Sequence, residues 1–153
     1  MRNEKSASSL DLERFVPYRL SVLSNRVSNA IARQYSERFG LAIPEWRVMA
    51  VLGGTSGLSA REVAQATEMD KVQVSRAVAN LVRAKRVQRK TDAADGRVTR
   101  LSLSAKGWAI YDEIVPLALA LEAQVLDALA PGERALFDRL LTKLARHAKL
   151  LGA

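Results

Sequence analysis

Apolar residues recur three and four positions apart along most of this chain, and the breaks in that rhythm mark out its elements. Leu20, Leu23, Val27, Ile31 and Tyr35 predict a helix that starts at Pro17, a favourable first helical position, and stops at Gly40. Pro44 and Glu45 open a second helix over Trp46 to Leu52, closed by Gly53-Gly54. Ser59 with Glu62 forms a capping box, which predicts a short helix ending near Thr67. Asp70 is a good cap for the next helix, which runs to about Ala84 with Val74, Val78 and Leu81 on its inner face. Two short helices joined by a tight turn have the helix-turn-helix layout.

The period then changes from that of a helix to that of a strand. Val87 to Thr91 is β-compatible, Asp92 to Gly96 is turn chemistry, and Val98 to Leu103 alternates with Leu101 and Leu103 on one side, so a hairpin is expected. Ser104 caps a long helix from Ala105 to about Leu129, in which Pro116 should kink the axis or leave the carbonyl of Asp112 unpaired. Pro131 opens the last helix, where Phe137, Leu140, Leu141, Leu144, Ala148 and Leu151 form an apolar stripe. Such a stripe packs either within its own subunit or in a dimer interface built from both ends of the chain, and the shortage of other elements favours the dimer. Residues 1–9 lack any pattern and are expected to be a flexible tail before a single domain over 10–153. The fold class expected is mainly α with a small β-hairpin wing, a winged helix-turn-helix flanked by N- and C-terminal dimerisation helices.

Charge sharpens this picture. Lys71 to Arg100 holds nine Lys and Arg against two Asp, a surplus of seven, when the whole chain carries only +8. Concentrated positive charge on a helix and hairpin attracts phosphate backbones. With no Cys and a single His, His147, there is no basis for a disulfide, a thiolate site, a multi-His metal site or a histidine-based catalytic system, and no cofactor is expected. His147 is read as an interface or surface residue. Asp92 and Asp95 are the only carboxylates paired on a turn, and nearby cations keep them ionised and poor as acids, so the chain is not read as an enzyme. The longest apolar run, Ile114 to Leu121, falls short of the roughly 18 residues a membrane span requires. No secretory signal is evident in Met1 to Ser9, and a soluble cytoplasmic protein without a membrane partner is expected.

The outward side of the Asp70-capped helix carries Lys71, Gln73, Ser75, Arg76 and Asn80. Arg reads guanine and Gln reads adenine through paired hydrogen bonds in the major groove, although the same residues would also make a solvated polar face. Arg97, next to the Asp95-Gly96 turn, suits insertion into a minor groove, and Arg100 follows on the same hairpin. Asp95 is expected to hold Arg97 or Arg100 in a bidentate pair, or to be an ordinary turn acid. Lys85, Arg86, Arg89 and Lys90 fit either phosphate contacts or solubility.

At these residues the chain resembles the multiple antibiotic resistance regulator (MarR) family of bacterial winged-helix proteins. The family's reading-helix pattern is matched by Val74-Ser75-Arg76, Val78, Leu81 and Val87. Its wing pattern, Asp-x-Arg-x-x-Arg followed by Leu-Ser/Thr-x-x-Gly, is matched from Asp95 through Arg97, Arg100, Leu101 and Ser102, and the corresponding glycine is Gly107. One position departs: Lys85 stands where the family usually has Gly at the end of the reading helix. Either Lys85 takes a left-handed conformation, at a cost of about 1 kcal/mol, or the helix ends differently. The resemblance implies a winged helix over about 43–103 and dimerisation helices over about 17–39 and 105–151. It implies a homodimeric repressor on a pseudopalindromic double-stranded DNA operator, released by a small aromatic or acyl-CoA ligand. Tyr18, Arg19, Trp46, Trp108 and Tyr111 are the candidate ligand residues. The aromatics equally suit a domain-junction core, and Arg19 a surface or intersubunit ion pair. A non-specific architectural DNA binder is the alternative that charge alone permits.

Overall fold

The computed structural model describes residues 9–152, so the tail expected over residues 1–9 lies, apart from Ser9, outside the described residues. Six helices and one antiparallel hairpin follow in the order α1 (Val16–Phe39), α2 (Ile43–Gly54), α3 (Ala60–Thr67), α4 (Lys71–Arg83), β1 (Val87–Thr91), β2 (Thr99–Leu103), α5 (Ala105–Leu126) and α6 (Pro131–Leu151). In the hairpin Val87 faces Leu103 and Thr91 faces Thr99. Among the described residues no single helix is long and apolar enough to cross a membrane.

The core lies where α2, α3, α4 and the hairpin meet. Val48, Met49, Leu52, Val63, Val74, Val78, Leu81, Val87 and Leu101 are all buried there, joined by Tyr35 from α1 and by Ile110 and Ile114 from α5. The hairpin root is tied in as well: Gly57 N–H donates to the Leu101 carbonyl and Leu101 N–H to the Leu58 carbonyl, both at 2.8 Å. In contrast α6 buries none of its residues. It leaves α5 at a bend of 111°, and Leu140, Leu141 and Leu144 stay exposed.

Two helix ends differ from expectation. Gly53-Gly54 forms the last two residues of α2 and Thr55 caps it; position 53 is glycine where the Tyr111 ring packs directly over it and a Cβ would collide. The long helix ends at Leu126 rather than near Leu129, where Arg134 Nε donates to the Leu126 carbonyl at 3.0 Å and Nη2 pairs with Asp127 at 2.6 Å. Those bonds satisfy a terminal carbonyl that another turn of helix would have used. Helix α5 runs through Pro116 without interruption.

Helix α4 ends in a left-handed residue, and that residue is Lys85, at φ +59°. Arg86 N–H donates to the Leu81 carbonyl at 2.8 Å and Lys85 N–H to the Val82 carbonyl at 2.9 Å, the paired bonds of a Schellman cap. The start of α5 braces this corner. Ser104 Oγ donates to the Lys85 carbonyl at 2.6 Å, and Lys106 Nζ to the Ala84 carbonyl at 3.1 Å. The brace holds Lys85 in a conformation that its own Cβ disfavours. Lys85→Gly is therefore expected to stabilise the fold by about 0.5–1 kcal/mol, the strain relieved less the extra freedom of the unfolded chain. Thermal unfolding checks this; a lower midpoint would mean that the lysine side chain contributes more than its backbone costs.

Candidate nucleic-acid interface

Capping fixes the direction of both short helices. Ser59 N–H donates to Glu62 Oε2 at 2.7 Å and Glu62 N–H to Ser59 Oγ at 3.2 Å, completing the expected capping box of α3. Gln73 N–H donates to Asp70 Oδ1 at 2.8 Å at the start of α4. With Val74, Ala77, Val78 and Leu81 buried against α2 and α3, the opposite face of α4 must look outward. Lys71, Gln73, Ser75 and Arg76 are all exposed there. Asn80 is exposed too, but it is engaged: its Nδ2 donates to Glu45 Oε1 at 3.1 Å, and its Oδ1 accepts from Arg83 at 3.2 Å. Asn80 thus joins α4 to the start of α2.

Between α3, α4 and the wing lies a groove of about 510 Å³. Arg61, Lys71 and Arg89 line it beside the buried Val74, Val78 and Leu101. Cations around an apolar floor give this side of the module a positive rim.

The wing's polar contacts correct one expectation. Asp95 forms no side-chain pair with Arg97 or Arg100; its Oδ1 accepts the backbone N–H of Arg97 at 3.0 Å, which shapes the turn. Asp92 holds Arg100 instead, with Nε donating to Asp92 Oδ2 at 2.8 Å, while Nη1 of the same guanidinium reaches Glu62 Oε2 at 2.9 Å. Asp92 stands three residues before Asp95, at the start of the turn, on the side where Arg100 points back toward α3. The Arg100 bond holds the Asp92 carboxyl below the usual carboxylate range. Glu62 is lowered as well, chiefly by the Ser59 backbone N–H. Arg100 is raised, chiefly by Asp92. The guanidinium therefore pins the wing to α3, and Arg97 is left exposed at the tip.

Arg86 also has a role that its sequence did not disclose. It is half-buried, and its Nη2 donates to the carbonyl of Phe39, the last residue of α1. A guanidinium at a helix C-terminus meets both an orphan carbonyl and the negative end of the helix dipole. Arg86 so couples the winged helix to α1, and nothing in the basic run from Lys85 to Lys90 set it apart from its neighbours.

The candidate ligand residues fall into two groups. Trp46, Tyr111 and Trp108 join the core residue Tyr35 in a continuous aromatic series, Tyr35–Trp46–Tyr111–Trp108, with ring centroids 5.8, 5.8 and 5.3 Å apart. Burial pushes the Tyr35 phenol up. Tyr18 and Arg19 do not join this series; they line a shallow groove along α1 itself, beside Leu20, Leu23 and Arg26.

The same arrangement occurs in known proteins. A family model described as MarR family matches residues 39–98. An HTH-type transcriptional repressor of Mycobacterium tuberculosis is 28% identical over 131 residues, 85% of this chain and 91% of that protein. A MarR/EmrR family transcriptional regulator from an Acinetobacter species superposes with a TM-score of 0.83 at 25% identity, over 92% of this chain and 99% of its own. BpsR of Bordetella bronchiseptica, whose DNA binding is regulated by 6-hydroxynicotinic acid, superposes with a TM-score of 0.75 at 27% identity, over 85% and 98%.

Proposed function

The chain belongs to the MarR family of winged-helix transcriptional regulators that bind DNA, and from that premise we propose that it acts as a homodimeric repressor on a pseudopalindromic operator. The observation that carries this reading is the uncovered face of α4. Lys71, Gln73, Ser75 and Arg76 stand free of the core, Lys71 and Ser75 on the flank toward the wing and Gln73 and Arg76 on the flank toward α2, with Arg97 at the wing tip. Two copies joined through α1, α5 and α6 would present two such faces, spaced by one helical turn of duplex. The uncovered apolar stripe of α6 supports that pairing. In this reading α4 enters the major groove, Arg97 enters the minor groove, and Arg100 and Asp95 support the wing from behind. Asn80, held by Glu45, orients α4.

A small aromatic or acyl-CoA ligand is proposed to release the DNA. The aromatic series at the α1–α2–α5 junction supports an aromatic ligand, as does the regulation of the similar BpsR by an aromatic acid. Enrichment of random duplexes on the purified protein tests the DNA reading. A pseudopalindrome with half-sites about 10 base pairs apart is expected. Recovery of duplexes without enrichment would favour a non-specific architectural binder. On the recovered site, Arg97→Ala should weaken binding by about 1–3 kcal/mol at fixed salt. Unchanged affinity would mean that the wing is not inserted.

A further inference from the structure

Among the described residues, the winged helix leaves one large aliphatic side chain exposed. Between Ile43 and Leu103 it is Val72 alone, at 61% exposure; the other exposed large apolar residues lie on the N-terminal segment, α1, α5 and α6. Val72 is the second residue of α4. Residues 72, 75, 76 and 79 share one face of a helix with 3.6 residues per turn, opposite Val74, Val78 and Leu81. Val72 therefore stands beside Ser75 and Arg76, at the end of the helix that leads into the groove. A valine so open does nothing for the core, and it offers no charge to a phosphate. The apolar group that base edges present in the major groove is the C5-methyl of thymine. We propose that Val72 is a specificity-determining residue that packs on a thymine methyl group in each half-site, next to the base read by Arg76. This rests on the proposed docking of α4 in the major groove.

The test starts from the duplex recovered by selection with the wild-type protein. Each thymine of the half-site is replaced in turn by deoxyuridine, which removes the methyl group and leaves every hydrogen-bonding atom. One position per half-site is expected to lose affinity about three- to fivefold, the worth of one buried methyl. Val72→Ala, which keeps the wild-type unfolding midpoint because the position is exposed, is expected to bind the thymine and uracil forms equally there. If no deoxyuridine weakens wild-type binding, or if Val72→Ala suffers the same penalty, the assignment to Val72 is overturned while sequence-specific binding stands. If selection recovers no motif, major-groove reading itself fails and the Val72 contact fails with it.

Discussion

Leu140→Glu combined with Leu144→Glu will give a folded single subunit that holds operator duplex at least about a hundredfold more weakly than wild type. Both leucines are exposed in the subunit, at 47% and 54%, so charging them removes nothing from its core. The proposed dimer buries them, and four new carboxylates in an apolar seam would have to be desolvated without partners. The loss in DNA affinity follows from linkage. In a dimer the second module docks at a high effective concentration, and separating the modules forfeits that gain, which is on the order of 10²–10⁴. Sedimentation and titration of the selected duplex measure both effects. A variant that stays dimeric and binds as tightly as wild type would show that α6 is not the seam.

Gly107→Ala is expected to destabilise the subunit by about 2–3 kcal/mol, as overpacking against backbone does. Helix propensity alone argues the other way, since Ala exceeds Gly by about 1 kcal/mol inside a helix. Packing overrides propensity here. Gly107 lies in the first turn of α5, its N–H donates to the Ser104 cap at 3.0 Å, and a Cβ would collide with the backbone carbonyl of Arg86. That carbonyl already accepts from Ser104 N–H at 3.0 Å, so it cannot swing aside without breaking the bond. The whole α4–β1 corner would have to move from α5. Chemical denaturation reads the cost directly; an unchanged midpoint would mean that the corner yields freely.

The local part of this fold was legible in the residues themselves. Ser59 with Glu62, Asp70, Ser104 and Pro131 mark helix starts because capping is decided within four residues of chain. The hairpin was legible because its alternation and its Asp92–Gly96 turn are equally local. The positions that escaped are settled by partners far along the chain. Arg86 meets Phe39 across 47 residues, Arg100 meets Glu62 across 38, and Asn80 meets Glu45 across 35. An arginine in a basic run looks the same in sequence whether it faces solvent, a phosphate or a helix end. Gly53 misled for a related reason, since a glycine pair reads as a stop when the ring that needs the space, Tyr111, lies beyond the hairpin.

The wing is fastened by the backbone bonds of Leu101 to Gly57 and Leu58 and by the Arg100 side chain one residue nearer the tip. Beyond Arg100, the backbone bonds of residues 92 to 98 close on one another. Apart from Asp92, which holds Arg100, those few residues can drift in sequence without disturbing the packed interior. A lineage could thereby retune which duplexes its members prefer by exchanging a short peptide, while everything that keeps the chain folded is inherited unaltered.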